Sequence, residues 1–242
     1  CTQSSDAQQF DGCTKVSSKN DQIASSSQVG KVKSWPISFN ANEIATYLDA
    51  PQDVHLGDMD GDGDLDLVVS SIYDGAVRWF ENDGSANPSF TPHDVITGAG
   101  FIYGVSLADM DGDGDMDIVS SGPTLTWYEN DGAPNPTYSA VNIAGLGSGH
   151  QVTLVDMDGD GDMDIVGTDN VQDSVTWYEN DGSANPSFNT SKIDTDANGA
   201  QDVHVEDIDG DGDLDLVVAS QDADSISWYE NGGNSKSWKK NT

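Results

Sequence analysis

The sequence predicts an all-β protein, a β-propeller of four four-stranded blades. Three observations predict it. A nine-residue acidic word occurs four times, starting at Asp58, Asp109, Asp156 and Asp207. A second word, "WFEN" or "WYEN", follows each at Trp79, Trp127, Trp177 and Trp228. No stretch of ten residues carries a helical period, while short β-branched runs recur between turn signals. A period near fifty residues with four strands in each unit is the economy of a propeller blade. Such units bury their faces only against neighbours, so they must stack.

The elements of one unit follow in order. The first strand is like "QDVHLGD", in which Val54 and Leu56 alternate with His55. Its counterparts carry Val105 and Leu107, Val152 and Leu154, Val203 and Val205. The acidic loop comes next. The second strand is "LDLVVS", "MDIVSS", "MDIVGT" or "LDLVVAS". The third is "AVRWFEN", "TLTWYEN", "SVTWYEN" or "SISWYEN", and an Asn-Asp-Gly or Asn-Gly-Gly turn then reverses the chain. The fourth strand starts near Phe90, Tyr138, Phe188 or Trp238; the Asn-Pro pair preceding the first three sits before the strand or on an edge, because proline cannot donate to a ladder. The second unit is three residues shorter between "DIVSS" and "LTWYEN", a loop position. The Trp and Tyr of each third strand are expected to pack between blades.

The ends raise a question of closure. Phe39 precedes Asp58 by the distance that separates Phe90 from Asp109, so "ISFNANEIATYLDA" reads as a fourth strand arriving before the first blade. "SWKKNT" at the other end claims the same place in a closed ring. Residues 34–242 form the four-repeat domain in this reading. Residues 1–33, rich in Ser and Gln, read as a tail or arm holding Cys1 and Cys13. The two cysteines suggest a local disulfide in an oxidising compartment, with a lipid-modified Cys1 or free thiols as alternatives.

Charge restricts function. With 43 acidic and 9 basic residues the formal charge is −34, which excludes a basic nucleic-acid footprint. No apolar run has the length of a membrane span. So many like charges in nine residues repel unless a cation sits among them. In "DMDGDGDLD" the carboxylates fall at positions 1, 3, 5, 7 and 9. A hard cation such as Ca²⁺ takes six to eight oxygen ligands, and glycines at positions 4 and 6 let the loop wrap. The candidate ligands are Asp58, Asp60, Asp62, Asp64 and Asp66 in the first repeat; Asp109, Asp111, Asp113, Asp115 and Asp117 in the second. They are Asp156, Asp158, Asp160, Asp162 and Asp164 in the third; Asp207, Asp209, Asp211, Asp213 and Asp215 in the fourth. Position 7 would give its backbone carbonyl and point its side chain outward. The apolar residue at position 2 would tuck under the loop. About four Ca²⁺ are expected, one per repeat. Zinc is disfavoured without Cys or His in the loops, and Mg²⁺ prefers a water-rich shell. An EF-hand would need Glu at position 12, where Val69, Ser120, Gly167 and Val218 stand.

These words resemble the calcium-binding blade repeats called VCBS or FG-GAP, found in integrin-α-type propellers and in many secreted proteins. The resemblance rests on "DMDGDGDLDLVV" and its three counterparts with the following "WYENDG" words, and covers roughly residues 35–242. It implies Ca²⁺ between the first two strands of each blade. The Phe-Gly…Gly-Ala-Pro word is missing, and family propellers often have seven blades where this chain shows four.

The functional expectation is a secreted or cell-surface structural or adhesive module, self-assembling through its terminal strands or binding another extracellular protein or glycan. A lectin is the alternative; among the loops between second and third strands only the first carries an aromatic, Tyr73. A polysaccharide-active enzyme is the third reading, and no enzyme is expected. The acidic residues are explained by metal, and His55 and His204 share one first-strand position while His93 and His150 match no catalytic word. One glycosylation triplet, Asn189-Thr190-Ser191, marks a surface segment.

Overall fold

The structure is a computed structural model that describes residues 41–233 and 237–241. Cys1, Cys13, the tail and Phe39 lie outside the described residues. Cys1–Asn42 and Glu43–Thr242 are separate units, and every described strand belongs to the second.

Among the described residues sixteen strands form four antiparallel sheets, each in chain order. The first holds β1 (Pro51–Gly57), β2 (Asp66–Ser71), β3 (Ala76–Asn82) and β4 (Phe90–Ile96). The second holds β5 (Gly104–Ala108), β6 (Asp117–Ser121), β7 (Thr124–Asn130) and β8 (Tyr138–Gly145). The third holds β9 (Gly149–Val155), β10 (Asp164–Asp169), β11 (Ser174–Asn180) and β12 (Phe188–Asp194). The fourth holds β13 (Ala200–Glu206), β14 (Asp215–Ser220), β15 (Ser225–Asn231) and β16 (Trp238–Asn241). This is the four-blade arrangement that the repeats predict. The short second unit loses its residues between β6 and β7, which only Gly122 and Pro123 join.

The core lies between blades. Each sheet turns one face to the next blade, carrying the position-2 residue, one Val of the second strand, and one apolar residue with the Trp of the third. The opposite face, toward the preceding blade, carries the first-strand Val, the other second-strand aliphatic and the Tyr. Met59, Val68, Val77 and Trp79 thus pack with Val105, Ile118 and Tyr128. Met110, Val119, Leu125 and Trp127 pack with Val152, Ile165 and Tyr178. Met157, Val166, Val175 and Trp177 pack with Val203, Leu216 and Tyr229. Trp79, Trp127 and Trp177, with Tyr128, Tyr178 and Tyr229, are therefore inter-blade packing, as the sequence predicts; Trp228 is half-buried outside these clusters. First strands of successive blades lie side by side. Hydroxyls tie them: Ser70 Oγ donates to the Tyr103 carbonyl at 2.9 Å, Ser121 Oγ to that of His150 at 2.7 Å, and Thr168 Oγ1 to that of Gln201 at 3.2 Å.

One expectation needs correction. Residues 41–50 contain no strand, and Ile44 and Tyr47 are exposed. The edge of β15 is taken by β16, which pairs with it from Trp228↔Asn241 to Asn231↔Trp238. Of the two claimants, the C-terminal strand completes the fourth blade.

Candidate metal centre

Each acidic loop joins the first and second strands of its blade. Its glycines have left-handed backbone angles, with φ of 75° and 95° at Gly61 and Gly63 and similar values in the other three copies. L-residues avoid that region, so these positions demand glycine. The wrap points backbone N–H groups inward at position 1. Asp58 Oδ1 accepts from Gly61 N–H at 2.9 Å and Oδ2 from Gly63 N–H at 3.0 Å. Asp109, Asp156 and Asp207 accept the same pair of amides.

The loops gather carboxylates. Oxygens of Asp58, Asp60 and Asp62 lie within 4.8 Å of one another, as do those of Asp156, Asp158 and Asp160. In the other two loops the trio is Asp109, Asp111 and Asp117, and Asp207, Asp209 and Asp215. Positions 1 and 3 converge in every repeat; position 5 or position 9 joins them. Such an all-oxygen set suits a hard divalent cation. Position 3 shows the electrostatic strain of the arrangement. Asp60, Asp111, Asp158 and Asp209 are all raised above the ordinary carboxylate pKa, by burial first and by neighbouring carboxylates as well.

Position 9 has a second role that the spacing does not reveal. Asp66, Asp117, Asp164 and Asp215 are buried, and each accepts two backbone N–H groups. Asp66 Oδ2 takes Met59 N–H at 3.0 Å, and Oδ1 takes Asn82 N–H at 2.8 Å. The other three repeat this pair of bonds. Asp164 also accepts from Trp177 Nε1 at 2.9 Å. This aspartate knots the loop to the third strand. Burial pushes Asp117 and Asp164 up to about 6, with the amide bonds opposing.

Position 7 departs from expectation. The side chains of Asp64, Asp115, Asp162 and Asp213 are half-buried and lie against Gly84, Gly132, Gly182 and Gly233. They are not aimed outward, because the glycine after each third strand leaves room for a carboxylate. At position 2, Met59, Met110 and Met157 are buried in the inter-blade core, as expected, whereas Ile208 is exposed.

Sequence reasoning missed four residues. Glu81, Glu129, Glu179 and Glu230 stand on the third strand near enough to position 3 to raise its pKa. Their signal was the Glu present in all four "W-x-E-N" words. Asn130 and Asn180 of the same words clip neighbouring blades: Nδ2 donates to the Met59 and Met110 carbonyls, each at 2.9 Å.

The histidines lie elsewhere. His93 stacks on Trp79 and bonds Glu81 at 2.9 Å, and His150 stacks on Tyr103. His55 pairs with Asp53 at 3.8 Å, and His204 is exposed on β13. Asn189 is exposed on β12. Tyr73 and Phe101 form an exposed edge-to-face pair with centroids 6.2 Å apart. Among the described residues no helix is long and apolar enough to cross a membrane.

Comparison with known proteins agrees with this architecture. A family model described as an FG-GAP-like repeat matches residues 58–120 and 156–218. No curated protein matches the chain. Among solved structures, the chain is similar to a lectin of Agrocybe aegerita whose description concerns specific recognition of non-reducing terminal N-acetylglucosamine. The TM-score is 0.53 at 19% identity, covering 78% of this chain and 51% of that one, so this chain spans about half the lectin's length.

Proposed function

We propose, since the chain belongs to the FG-GAP-like repeat family, that it is a non-enzymatic, calcium-loaded propeller module acting outside the cell as a structural or adhesive scaffold. The fourfold convergence of position-1 and position-3 carboxylates carries this reading. The donors are all oxygen, and their crowding leaves negative charge that a divalent cation offsets. Position 1 is oriented by the loop amides, so its carboxylate is preorganised before any ion arrives. Positions 5 and 9 and the position-7 carbonyl would complete the shell. Calcium would then stiffen each loop, and its binding energy would add to folding, as for any ligand that prefers the native state.

Titration of the metal-free protein with CaCl₂ by isothermal calorimetry tests the reading. Four sites and a higher melting temperature are expected. No heat and no thermal shift at millimolar Ca²⁺ would refute it.

A second reading is glycan binding, favoured by the exposed Tyr73–Phe101 pair. Aromatic faces pack on sugar C–H surfaces, and the structural neighbour is a lectin. A glycan array with wild type and Tyr73→Ala separates it: signal lost in the variant supports a site there.

A further inference from the structure

The two end faces of the four-blade array are the two halves of its own inter-blade interface. In blades one to three, the face toward the next blade is buried throughout. In blade four the same positions are Ile208, Val217, Ile226 and Trp228. Ile226 is 71% exposed and Ile208 44%, where Val77, Leu125 and Val175, and Met59, Met110 and Met157, are buried. Val217 and Trp228 are half-buried, unlike every one of their counterparts. The opposite face is bare on blade one. Val54 is 55% exposed and Leu56 60%, while Val105, Val152 and Val203 are buried. Leu67 is half-buried where Ile118, Ile165 and Leu216 are buried; Phe80, the last member, is already covered.

The polar clip is complementary too. Asn130 and Asn180 use one Nδ2 hydrogen within their own blade and the other on the preceding blade's position-2 carbonyl. Asn82 makes the first bond, to the Leu65 carbonyl at 2.9 Å, and has no inter-blade acceptor among the described residues. The matching acceptor would be the carbonyl of Ile208. One tie would be lacking, because Ala219 stands where Ser70, Ser121 and Thr168 donate.

From this we infer that a second copy of the chain covers these faces: blade four of each copy packs on blade one of the other, closing a two-chain ring of eight blades. The contact is heterologous, face to opposite face, yet two such contacts related by a twofold axis close. Eight blades lie within the usual propeller range. The interface is the one the molecule already makes three times within itself, so the geometry is set by the fold. The inference stands on packing alone and does not depend on which cation fills the loops.

Sedimentation velocity with multi-angle light scattering from 1 to 100 µM, in calcium, tests it. Wild type should run at twice the 25.6 kDa chain mass. Ile226→Asp and Val54→Asp should each be monomeric, with unchanged far-UV circular dichroism, since both positions face solvent in the single chain. Val171→Asp, exposed away from both faces, should stay dimeric. An equimolar mixture of the two monomeric variants should recover a heterodimer through its one intact interface, at least tenfold weaker than wild type. A wild-type monomer at 100 µM overturns the proposal. So does dissociation by only one of the two variants, which would indicate a like-with-like contact. Filaments or larger rings would refute closure by two chains.

Discussion

Replacing Asn130 by alanine tests how the blades are held together. Its side chain makes three hydrogen bonds: Nδ2 to the Met59 carbonyl at 2.9 Å and to the Met116 carbonyl at 3.0 Å, and Oδ1 from Gly132 N–H at 3.0 Å. The backbone N–H stays bonded to Asp117 in the variant, because that bond does not involve the side chain. Each lost bond removes about 1 kcal/mol net, and a buried carbonyl left alone adds about 1 kcal/mol or more. The expected loss is therefore about 3–4 kcal/mol. In the first blade, Asn82 has the same sequence context. Its bonds, to the Leu65 carbonyl and from Gly84 N–H at 3.2 Å, lie at exposed positions where water can replace them. Asn82→Ala should cost about 1 kcal/mol. Both are best compared in the Ile226→Asp background, so that association does not contribute. At about 2–4 °C per kcal/mol for a domain of this size, the melting temperatures should fall by about 6–16 °C and about 2–4 °C respectively. Equal losses would show that the inter-blade bond contributes nothing and would refute the clip.

Three other outcomes are expected. Asp158→Asn should lower calorimetric calcium stoichiometry from four to three with an unchanged fold, since Asp158 converges with Asp156 and Asp160; four sites retained would remove it from the ligand set. Gly132→Ala should destabilise by about 1–2 kcal/mol in chemical denaturation, because its φ of 65° disfavours L-residues and its new methyl group would meet the Asp115 carboxylate. For the cation-free protein, Asp117 and Asp164, raised to about 6, hold more protons folded than unfolded between about pH 4 and 6. Stability should therefore fall as pH rises through that window, two groups acting against the opposite contribution of His150, whose pKa burial lowers, read as melting temperature from about pH 4.5 to 6. Asp83, Asp131 and Asp181, held low by hydrogen bonds from Ser89, Thr137 and Ser187, stay ionised throughout it. A rising melting temperature would contradict the sign.

The strands were legible because their periodicity is local. Val54, His55 and Leu56 alternate, the glycines mark wraps, and Asn-Asp-Gly marks a reversal, all within a few residues. The carboxylate positions were legible for the same reason. What a repeat alignment hides is the difference between like residues in unlike surroundings. Ile208 aligns with Met59 but has no fifth blade over it. Asp66 aligns in role with Asp58 by spacing alone, yet Asp66 is buried and its amide partners tie the loop to the third strand, whereas those of Asp58 lie within the loop. Asp64 points at a glycine twenty residues away, which no local pattern encodes. The expected strand over 37–50 is described only from residue 41, where none forms, and β16 holds the edge for which its sequence competes.

Met59 joins the cation loop to the blade interface. Its N–H is held by Asp66, its carbonyl accepts from Asn130 of the next blade, and its side chain is buried between the two blades. Met110 repeats all three contacts with Asp117, Asn180 and the third blade. The residue therefore cannot shift with the loop without disturbing the interface. A cation that drew the loop carboxylates together would hold this residue in place. A cation bound in the loop would thus bear on the neighbouring blade through one backbone unit, which links the loop of each of these two blades to the Asn of the next. Blade four ends that series with Ile208 exposed. Its loop would act across the two-chain contact in the same way. Cation removal should therefore weaken association of the two chains as well as the blades within one, although neither contact includes the ion.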